Sequence, residues 1–120
     1  VKGKVDNVHQ YLKASDIYIS ASRSEGLPYS VLEAGSCGLE LIISDIPQHR
    51  EIFCEKPDLI STFEIGNIAK LSSIMNQTVL NFSFNCNIEV AGFIGNKFSD
   101  IQMTKNYEKI YMQMLASKAE

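Results

Sequence analysis

Two short apolar runs, at residues 17–20 and 41–44, constrain the fold of this chain more than any other feature of its sequence. The second run does not alternate between polar and apolar residues, which is typical of a strand buried on both faces of a parallel sheet. Helical periodicity precedes the first run at residues 8–14, and a second helical pattern lies between the two runs. Strands that alternate with helices predict an α/β fold, in which a Rossmann-like parallel sheet carries helices on both faces.

Weaker patterns predict the remaining elements. These are a helix at 47–53, a turn at 55–58, a third strand at 59–63 and helices at 65–75, 87–95 and 99–116. Asn87 is the expected cap of one of these helices, and Ser99 with Gln102 forms a capping box at the start of the last one. Residues 76–87 fit either a helix or a loop. The last helix has an apolar stripe that we expect to pack in the core, consisting of Met103, Tyr107, Ile110, Tyr111 and Met114.

The composition limits the classes of protein to which the chain can belong. With 120 residues, 45% of them apolar, we expect a single domain with a substantial core. The net charge of −3 and the lack of a basic cluster argue against a nucleic-acid partner. No run approaches the roughly 18 apolar residues of a membrane-spanning helix. The first residues resemble neither a signal peptide nor an initiation site, so we expect the chain to be part of a longer protein.

The cysteines and histidines do not form a recognisable metal site. Cys37, Cys54 and Cys86 are far apart in the sequence, which argues against a disulfide framework as well as a metal site. We expect them to be buried thiols in a reducing compartment. His9 and His49 are too few, and too distant from any cysteine pair, to indicate zinc.

The stretch between the two apolar runs predicts a ligand site. A loop with Glu25 and Gly26 follows the first strand, and a helix then starts with Pro28, which suits the first helical position. Gly38 suits the end of this helix, because a left-handed residue is needed there. A strand, a glycine loop and a helix start direct free amides and the positive helix end at a ligand above the strand. We therefore expect an anion, above all a phosphate, to bind here.

This helix carries a second carboxylate, Glu33, with seven residues between it and Glu25. At about 100° per residue, Val31, Leu32 and Gly35 share one face of the helix, whereas Glu33 lies on another. Two carboxylates thus flank the start of one helix. For an arbitrary pair the simplest interpretation is two solvated glutamates, because Glu is mostly exposed in proteins.

The surrounding residues favour a more specific interpretation. The string Glu25-Gly-Leu-Pro-Tyr-Ser-Val-Leu-Glu33 resembles the Glu-x7-Glu signature of retaining glycosyltransferases with the GT-B fold, known as glycosyltransferase family 4 or group 1. Residues 8–20 resemble the family's lead-in to this signature, and residues 41–52 resemble its next strand and loop. The resemblance is strong over the first 53 residues, weak up to residue 97, and fair in the last helix.

The resemblance implies that residues 1–120 are a single, partial nucleotide-sugar-binding domain from the C-terminal half of a two-domain GT-B enzyme. Its donor substrate would be a nucleoside-diphosphate sugar, and a missing N-terminal domain would bind a glycan or lipid-linked acceptor. The family transfers a sugar, here expected to be a hexose, with retention of configuration and usually without a bound metal. We therefore expect no metal site and no cofactor besides the donor. The resemblance also implies a cytoplasmic enzyme, with peripheral association at the inner face of a membrane.

The resemblance further implies roles for individual residues. Glu33 would accept hydrogen bonds from the ribose hydroxyls, as an ionised carboxylate can accept from two neighbouring hydroxyls at once. Glu25 would be the catalytic residue and would accept from a hydroxyl of the transferred sugar. The other substrate-binding residues would be Gly26, Leu27 and Tyr29, through their main-chain amides, and Ser22, at a position that the family also fills with serine.

The sequence departs from the family pattern at three points. Pro28 has no amide hydrogen, and Leu39-Glu40 replaces the usual small residue and proline. The family's phosphate-binding Arg and Lys lie upstream of this segment. Arg23 is the nearest cation to the signature, and a solvent-facing role suits it better than a phosphate contact.

Three other residues near this edge have less specific interpretations. Asp45 is expected to cap the helix that follows it. His49 is more typical of a surface or capping group than of a ligand-binding one. Tyr29 either stacks on a base or sugar or packs within its own loop.

Two further functions are compatible with the predicted fold. One is a non-catalytic α/β nucleotide-binding or signalling module, although Asp16 precedes its strand instead of ending it, unlike the acidic residues of receiver modules. The other is a nucleotide-sugar epimerase, which does not usually carry this carboxylate spacing beside a Gly-Leu-Pro loop. The sequence leaves the base, the sugar and the acceptor open.

Overall fold

A computed structural model describes residues 3–83 and 86–117 of the chain. Its elements are α1 (Val8–Lys13), β1 (Ile17–Ser20), α2 (Tyr29–Ser36), β2 (Glu40–Ser44), α3 (Pro47–Phe53), a 3-10 turn (Pro57–Leu59), β3 (Ser61–Phe63), α4 (Ile68–Leu80), α5 (Ile88–Phe98) and α6 (Asp100–Ser117). Strands and helices alternate through the first two thirds of the chain, as the sequence predicts.

The three strands form one parallel sheet in the order β1-β2-β3. Ser20 is aligned with Ile43, and Ser44 is aligned with Phe63, so β2 lies in the centre of the sheet. All three strands therefore end at the same edge. This arrangement confirms the predicted Rossmann-like α/β class.

Side chains of β2 pack against helices on both faces of the sheet. Leu41 and Ile43 lie in a core with α2, α3 and α5, whereas Ile42 packs on the opposite face with Phe63 and Ile74 of α4. Full burial of such an aliphatic side chain stabilises a fold by about 1.5–3 kcal/mol. The uninterrupted apolar sequence of β2 is therefore explained by two apolar faces.

Two glycines permit the close packing of α2. A Cβ at Gly35 would lie only 3.1 Å from Ile94 and 3.2 Å from Val90, so α5 approaches the backbone of α2 closely. Gly38 has a φ of +74°, and a Cβ there would lie 2.0 Å from Cys86 Sγ. The prediction that Gly38 ends the helix is confirmed.

The start of α2 differs by one residue from the prediction. Pro28 is the residue before the helix, with φ −77° and ψ 72°, and α2 begins at Tyr29. Pro28 is fully buried, so its ring packs in the interior of the domain. Its missing amide hydrogen therefore lies just outside the helix.

The third strand and α4 also have different limits from those predicted. Leu59 belongs to the 3-10 turn, so β3 is shorter than expected, and α4 starts at Ile68 and continues to Leu80. The start is fixed by the side chain of Asn67, which accepts a hydrogen bond from the Lys70 amide. Part of the stretch that fitted either helix or loop is thus helical, and residues 84 and 85 lie outside the described residues.

The predicted caps of the last two helices are present. The Asn87 side chain accepts from the Val90 amide at 3.2 Å, and Ser99 Oγ accepts from the Gln102 amide at the same distance. The Gln102 side chain does not complete the reciprocal half of the capping box but donates to Asn106 instead.

The prediction that the apolar stripe of α6 packs in the core is wrong. Its five residues are 50–63% exposed. The helix packs mainly against α5, and the described chain measures 59 Å along its longest axis but only 29 and 28 Å along the other two. The stripe therefore extends away from the sheet and stays largely exposed.

The expectation of buried cysteines is also wrong. Cys54 and Cys86 are exposed, Cys37 is half-buried, and all three are free thiols. Cys37 Sγ lies 3.8 Å from His9 Nδ1. Within residues 3–83 and 86–117, no helix is long and apolar enough to cross a membrane.

Candidate functional site

The carboxyl edge of the sheet brings two predicted loops together. Residues 22–27 follow β1, residues 45–46 follow β2, and these strands are parallel neighbours. Ligands of open α/β sheets bind in the crevice outside the carboxyl ends of the strands. The structure therefore places the Glu25 loop at the edge where the fold favours a ligand.

Ser22, the first predicted site residue, is fixed by the ends of two strands. Its carbonyl accepts a 2.6 Å hydrogen bond from Ser44 Oγ, and its hydroxyl accepts one of 3.2 Å from Ser20 Oγ. Ser44 is fully buried and Ser20 is 7% exposed, so water competes little for these bonds. The loop that carries Glu25 consequently leaves the sheet from an anchored residue.

The two carboxylates of the signature are both accessible. Glu25 is half-buried in the loop, whereas Glu33 is exposed on the second turn of α2. Val31, Leu32 and Gly35 are buried, so the predicted division of α2 into two faces is confirmed. Among the described residues, neither carboxylate accepts a hydrogen bond or forms an ion pair, which leaves both able to accept from ligand hydroxyls.

The main-chain amides at the start of α2 differ in availability. The Tyr29 amide donates to the Leu27 carbonyl at 2.8 Å, so the expectation that it faces a ligand does not fit this structure. The amides of Gly26, Leu27 and Ser30 have no acceptor in the described part of the chain. Ser30 was not predicted, although any second residue of a helix has an amide without a partner inside the helix.

The aromatic ring of Tyr29 is 68% exposed. Packing within its own loop, one of the two interpretations from the sequence, is therefore excluded. The ring stands on the surface beside the start of α2, where it is accessible to a flat ligand group.

Asp45 does not cap α3, which corrects the sequence interpretation. The residue before that helix is Ile46, and α3 has no side-chain cap. Asp45 instead accepts hydrogen bonds from Nε and Nη2 of Arg50 at both of its carboxylate oxygens. The Arg50 hydrogen bond lowers the pKa of the Asp45 carboxyl, and Asp45 in turn raises the pKa of the Arg50 guanidinium.

His49 is fully buried, contrary to the expectation of a surface or capping group. Its Nδ1 lies 2.7 Å from the Ser44 carbonyl, and its Nε2 has no hydrogen-bond partner among the described residues. The sequence contains a signal for this burial, since His49, Ile52 and Phe53 are spaced i, i+3 and i+4, and all three are buried.

Two cavities in the described part of the chain bear on the position of the site. One of about 730 Å³ lies between the 3-10 turn, α5 and the start of α6, and one of about 250 Å³ lies at the carboxyl edge beside Asp45, Asn67 and Lys70. Glu25 and Glu33 line neither of these two cavities, and the exposure of Glu33 and the half-burial of Glu25 place the candidate site at the surface of this domain. Lys70 is a cation at this edge that was not predicted from the sequence. Its place in the first turn of α4, the helix that follows β3, is the feature of the sequence that could have identified it.

A metal is not indicated by the described side chains. In residues 3–83 and 86–117, no three or more His, Cys, Asp or Glu side chains are grouped so that they could hold a metal ion.

The fold and the site together define a Rossmann-like α/β domain with a carboxylate-flanked helix start at the carboxyl edge of its sheet. The sequence model of the family described as "Glycosyl transferases group 1" matches residues 1–77. The chain therefore belongs to the group 1 glycosyltransferases, and the resemblance seen in the sequence is confirmed.

Curated proteins of Escherichia coli are similar to this chain. The O-antigen biosynthesis glycosyltransferase WclY is 26% identical over 107 residues, which cover 89% of this chain and 29% of the relative. A UDP-Gal:alpha-D-GlcNAc-diphosphoundecaprenol alpha-1,3-galactosyltransferase is 30% identical over 117 residues, which cover 94% of this chain and 29% of that relative. The chain thus spans 29% of the length of each of these relatives.

Proposed function

We propose that this chain is the donor-binding domain of a retaining glycosyltransferase with the GT-B fold, and that it binds a nucleoside-diphosphate sugar. The observation that carries the proposal is the pair Glu25 and Glu33, which flank the start of α2 at the carboxyl edge of the sheet. Neither has a partner among the described residues, and the chain belongs to the group 1 glycosyltransferases.

Glu33 is proposed to hold the nucleotide. It projects from a helix whose opposite face is buried, so its backbone is held rigidly while its carboxylate stays accessible. A carboxylate can accept from two vicinal hydroxyls, such as those of a ribose, and such charge-assisted hydrogen bonds are the stronger ones.

Glu25 is proposed to be the catalytic residue that faces the transferred sugar. It lies in the loop after β1, upstream of the helix start, and the backbone at the beginning of this loop is anchored through Ser22. A carboxylate at this position accepts from a sugar hydroxyl and orients the anomeric carbon toward the acceptor. Positioning of this kind is a large part of catalysis when two substrates must meet.

The diphosphate is proposed to lie at the start of α2. The amides of Gly26, Leu27 and Ser30 and the positive end of the helix favour an anion there. The side chain of Tyr29, instead of its amide, is proposed to contact the base or the sugar. These partial charges do not neutralise a diphosphate, so we propose that cations from outside this chain complete its site.

The chemical class of the substrates is proposed from the relatives. The galactosyltransferase that is 30% identical is named for a UDP-galactose donor and an acceptor linked to diphosphoundecaprenol. We propose a hexose from a UDP-sugar as donor group and a lipid-linked saccharide as acceptor, bound mainly by another domain. An acceptor of this kind supports peripheral association with the inner face of a membrane.

Titration of the isotope-labelled chain with UDP, followed by amide chemical shifts, tests the donor site. The expected shifts fall on residues 22–33, with a dissociation constant of roughly 1 mM, because only half of the cleft is present. Titrations with GDP and ADP compare the affinity of the site for different bases. Uridine, which has no phosphates, is the matched control for binding at the anion site. Shifts around the 730 Å³ cavity instead, or none at saturating UDP, would count against the proposal.

A further inference from the structure

The carbonyl of Ser44 accepts two hydrogen bonds at the end of β2. The Ile46 amide donates to it at 3.0 Å, and His49 Nδ1 lies 2.7 Å away. A carbonyl only accepts, so Nδ1 carries the proton in this contact. The imidazole thus fixes the turn between β2 and α3 from inside the core.

The same serine connects this turn to the loop of Glu25. Ser44 Oγ donates to the Ser22 carbonyl at 2.6 Å, just beyond Ser20 and Ile43, the last aligned pair of β1 and β2. Ser22 is three residues before Glu25. Two hydrogen bonds of Ser44, one at its carbonyl and one at its hydroxyl, therefore connect His49 to the residue at which the Glu25 loop leaves the sheet.

Packing alone does not explain a histidine at position 49. The side chain is fully buried, and Nε2, which is a bare acceptor when Nδ1 is protonated, has no partner in the described part of the chain. A buried polar atom without a hydrogen bond is destabilising, and an apolar ring of similar size would not carry that cost. The Nδ1–H donor is the feature that a histidine provides here and an apolar ring would lack.

We propose that His49 is a positioning residue for the loop that carries Glu25. It is buried and does not touch the ligand; it acts by orienting Ser44, whose hydroxyl holds Ser22. This inference rests on the proposed function in one respect, namely that Glu25 faces the transferred sugar while Glu33 binds the nucleotide. Loss of the Nδ1–H donor should then impair turnover and spare the affinity for the nucleotide.

Two substitutions at position 49 distinguish the effect of the Nδ1–H donor from the effect of the ring volume. His49→Phe keeps a ring and removes the donor, whereas His49→Asn places an amide N–H close to the position of Nδ1 and has no counterpart of Nε2. His9→Phe, on exposed α1, is the matched control for the substitution itself. Ser44→Ala removes the hydroxyl that reaches Ser22 and leaves the imidazole in place.

Turnover, KM for the UDP-sugar and the dissociation constant of UDP are measured for the protein as its gene encodes it. His49→Phe and Ser44→Ala should lower kcat by about tenfold or more, since small misplacements of a reacting group are costly. The dissociation constant of UDP should stay within about twofold of the wild-type value, and His49→Asn should restore most of kcat. A kcat of His49→Phe equal to that of His9→Phe would overturn the proposal, as would a His49→Asn variant as impaired as His49→Phe.

Two complications are covered by the same set of variants. If His49→Phe does not fold, Ser44→Ala decides: reduced kcat with unchanged UDP affinity supports the proposal, and normal kcat overturns it. If the wild-type protein transfers no sugar, the proposed function has failed on its own. The positioning is then judged by the amide shifts of residues 22–27, which should change in His49→Phe and Ser44→Ala and return in His49→Asn; unchanged shifts overturn it.

Discussion

The hydroxyl of Ser44 donates a 2.6 Å hydrogen bond to the main-chain carbonyl of Ser22, and this contact joins the end of the central strand to the loop that carries Glu25. The donor is fully buried, so the bond is shielded from water. The loop therefore starts from a fixed point in the sheet although its tip is open to solvent.

The division of roles between the two carboxylates can be tested in the full-length protein. Glu33→Gln should weaken the binding of free UDP by about 1–3 kcal/mol, the range for loss of a charge-assisted hydrogen bond. Glu25→Gln should leave UDP binding nearly intact and lower kcat instead, because its partner is present only in the sugar donor. Isothermal titration with UDP and turnover with the full donor measure the two effects.

Glu89→Gln, on the exposed first turn of α5, is the matched control for these carboxylates and should change neither quantity. Equal losses of UDP affinity in Glu25→Gln and Glu33→Gln would disprove the division of roles. Two wild-type-like variants would show that both side chains are merely solvated.

The isolated 120-residue chain should fold but should not transfer sugar. Sugar transfer requires that the donor and the acceptor are held next to each other in the correct orientation. This chain spans only 29% of the length of its curated relatives, so we expect it to lack part of the binding surface. Product formation from a radiolabelled donor, with the full-length protein as the positive control, checks this expectation. Measurable transfer by the isolated chain would refute it.

The ion pair between Asp45 and Arg50 should give stability a weak pH dependence. The Arg50 hydrogen bond lowers the pKa of Asp45 in the folded state, so the folded state favours the ionised carboxylate. The contribution is present above about pH 4, the value of an unperturbed Asp, and is lost as the pH falls through the lowered pKa. Because both side chains are substantially exposed, Asp45→Asn should lower the melting temperature at pH 7 by only about 1–3 °C.

Thermal unfolding of the wild type and of Asp45→Asn from pH 2 to pH 7 measures this contribution. The two melting temperatures should converge toward pH 2, and added salt at pH 7 should also reduce their difference. A constant difference over this whole range of pH would exclude the ion pair as its cause.

Gly38 should not tolerate a side chain. Gly38→Ala places a Cβ at a φ of +74° and 2.0 Å from Cys86 Sγ. The backbone conformation alone costs about 1–2 kcal/mol for an L-residue, and the overlap adds to it. Gly92→Ala, at a helical position with nothing within 4 Å, is the control and should stabilise the chain by about 0.5–1 kcal/mol. Urea unfolding measures both changes, and a neutral Gly38→Ala would contradict the observed turn.

Much of the fold can be predicted from local patterns in the sequence. The apolar run of β2, the buried face of α2 with Val31 and Leu32, and the caps Asn87 and Ser99 are all where the sequence predicts them. Each depends on residues within a turn or two of one another, so their physical causes are local. The signature that leads to the family is likewise a contiguous string, from Glu25 to Glu33.

The environments of single side chains required the tertiary structure. The periodicity of α6 identifies an apolar stripe, but the distance of that helix from the sheet leaves it exposed. Asp45 pairs with Arg50 instead of capping α3, and Cys54 and Cys86 are exposed instead of buried.

The sequence by itself therefore determined the order of strands and helices, the face of α2 that is buried and the identity of the carboxylates in the signature. The tertiary structure decided what lies next to these residues. His49 shows the reason most clearly, because its burial against the end of β2 and its link through Ser44 to Ser22 join three segments of the chain. A periodic pattern specifies which side of an element is apolar, whereas the element that covers this side is fixed only when the whole chain has packed.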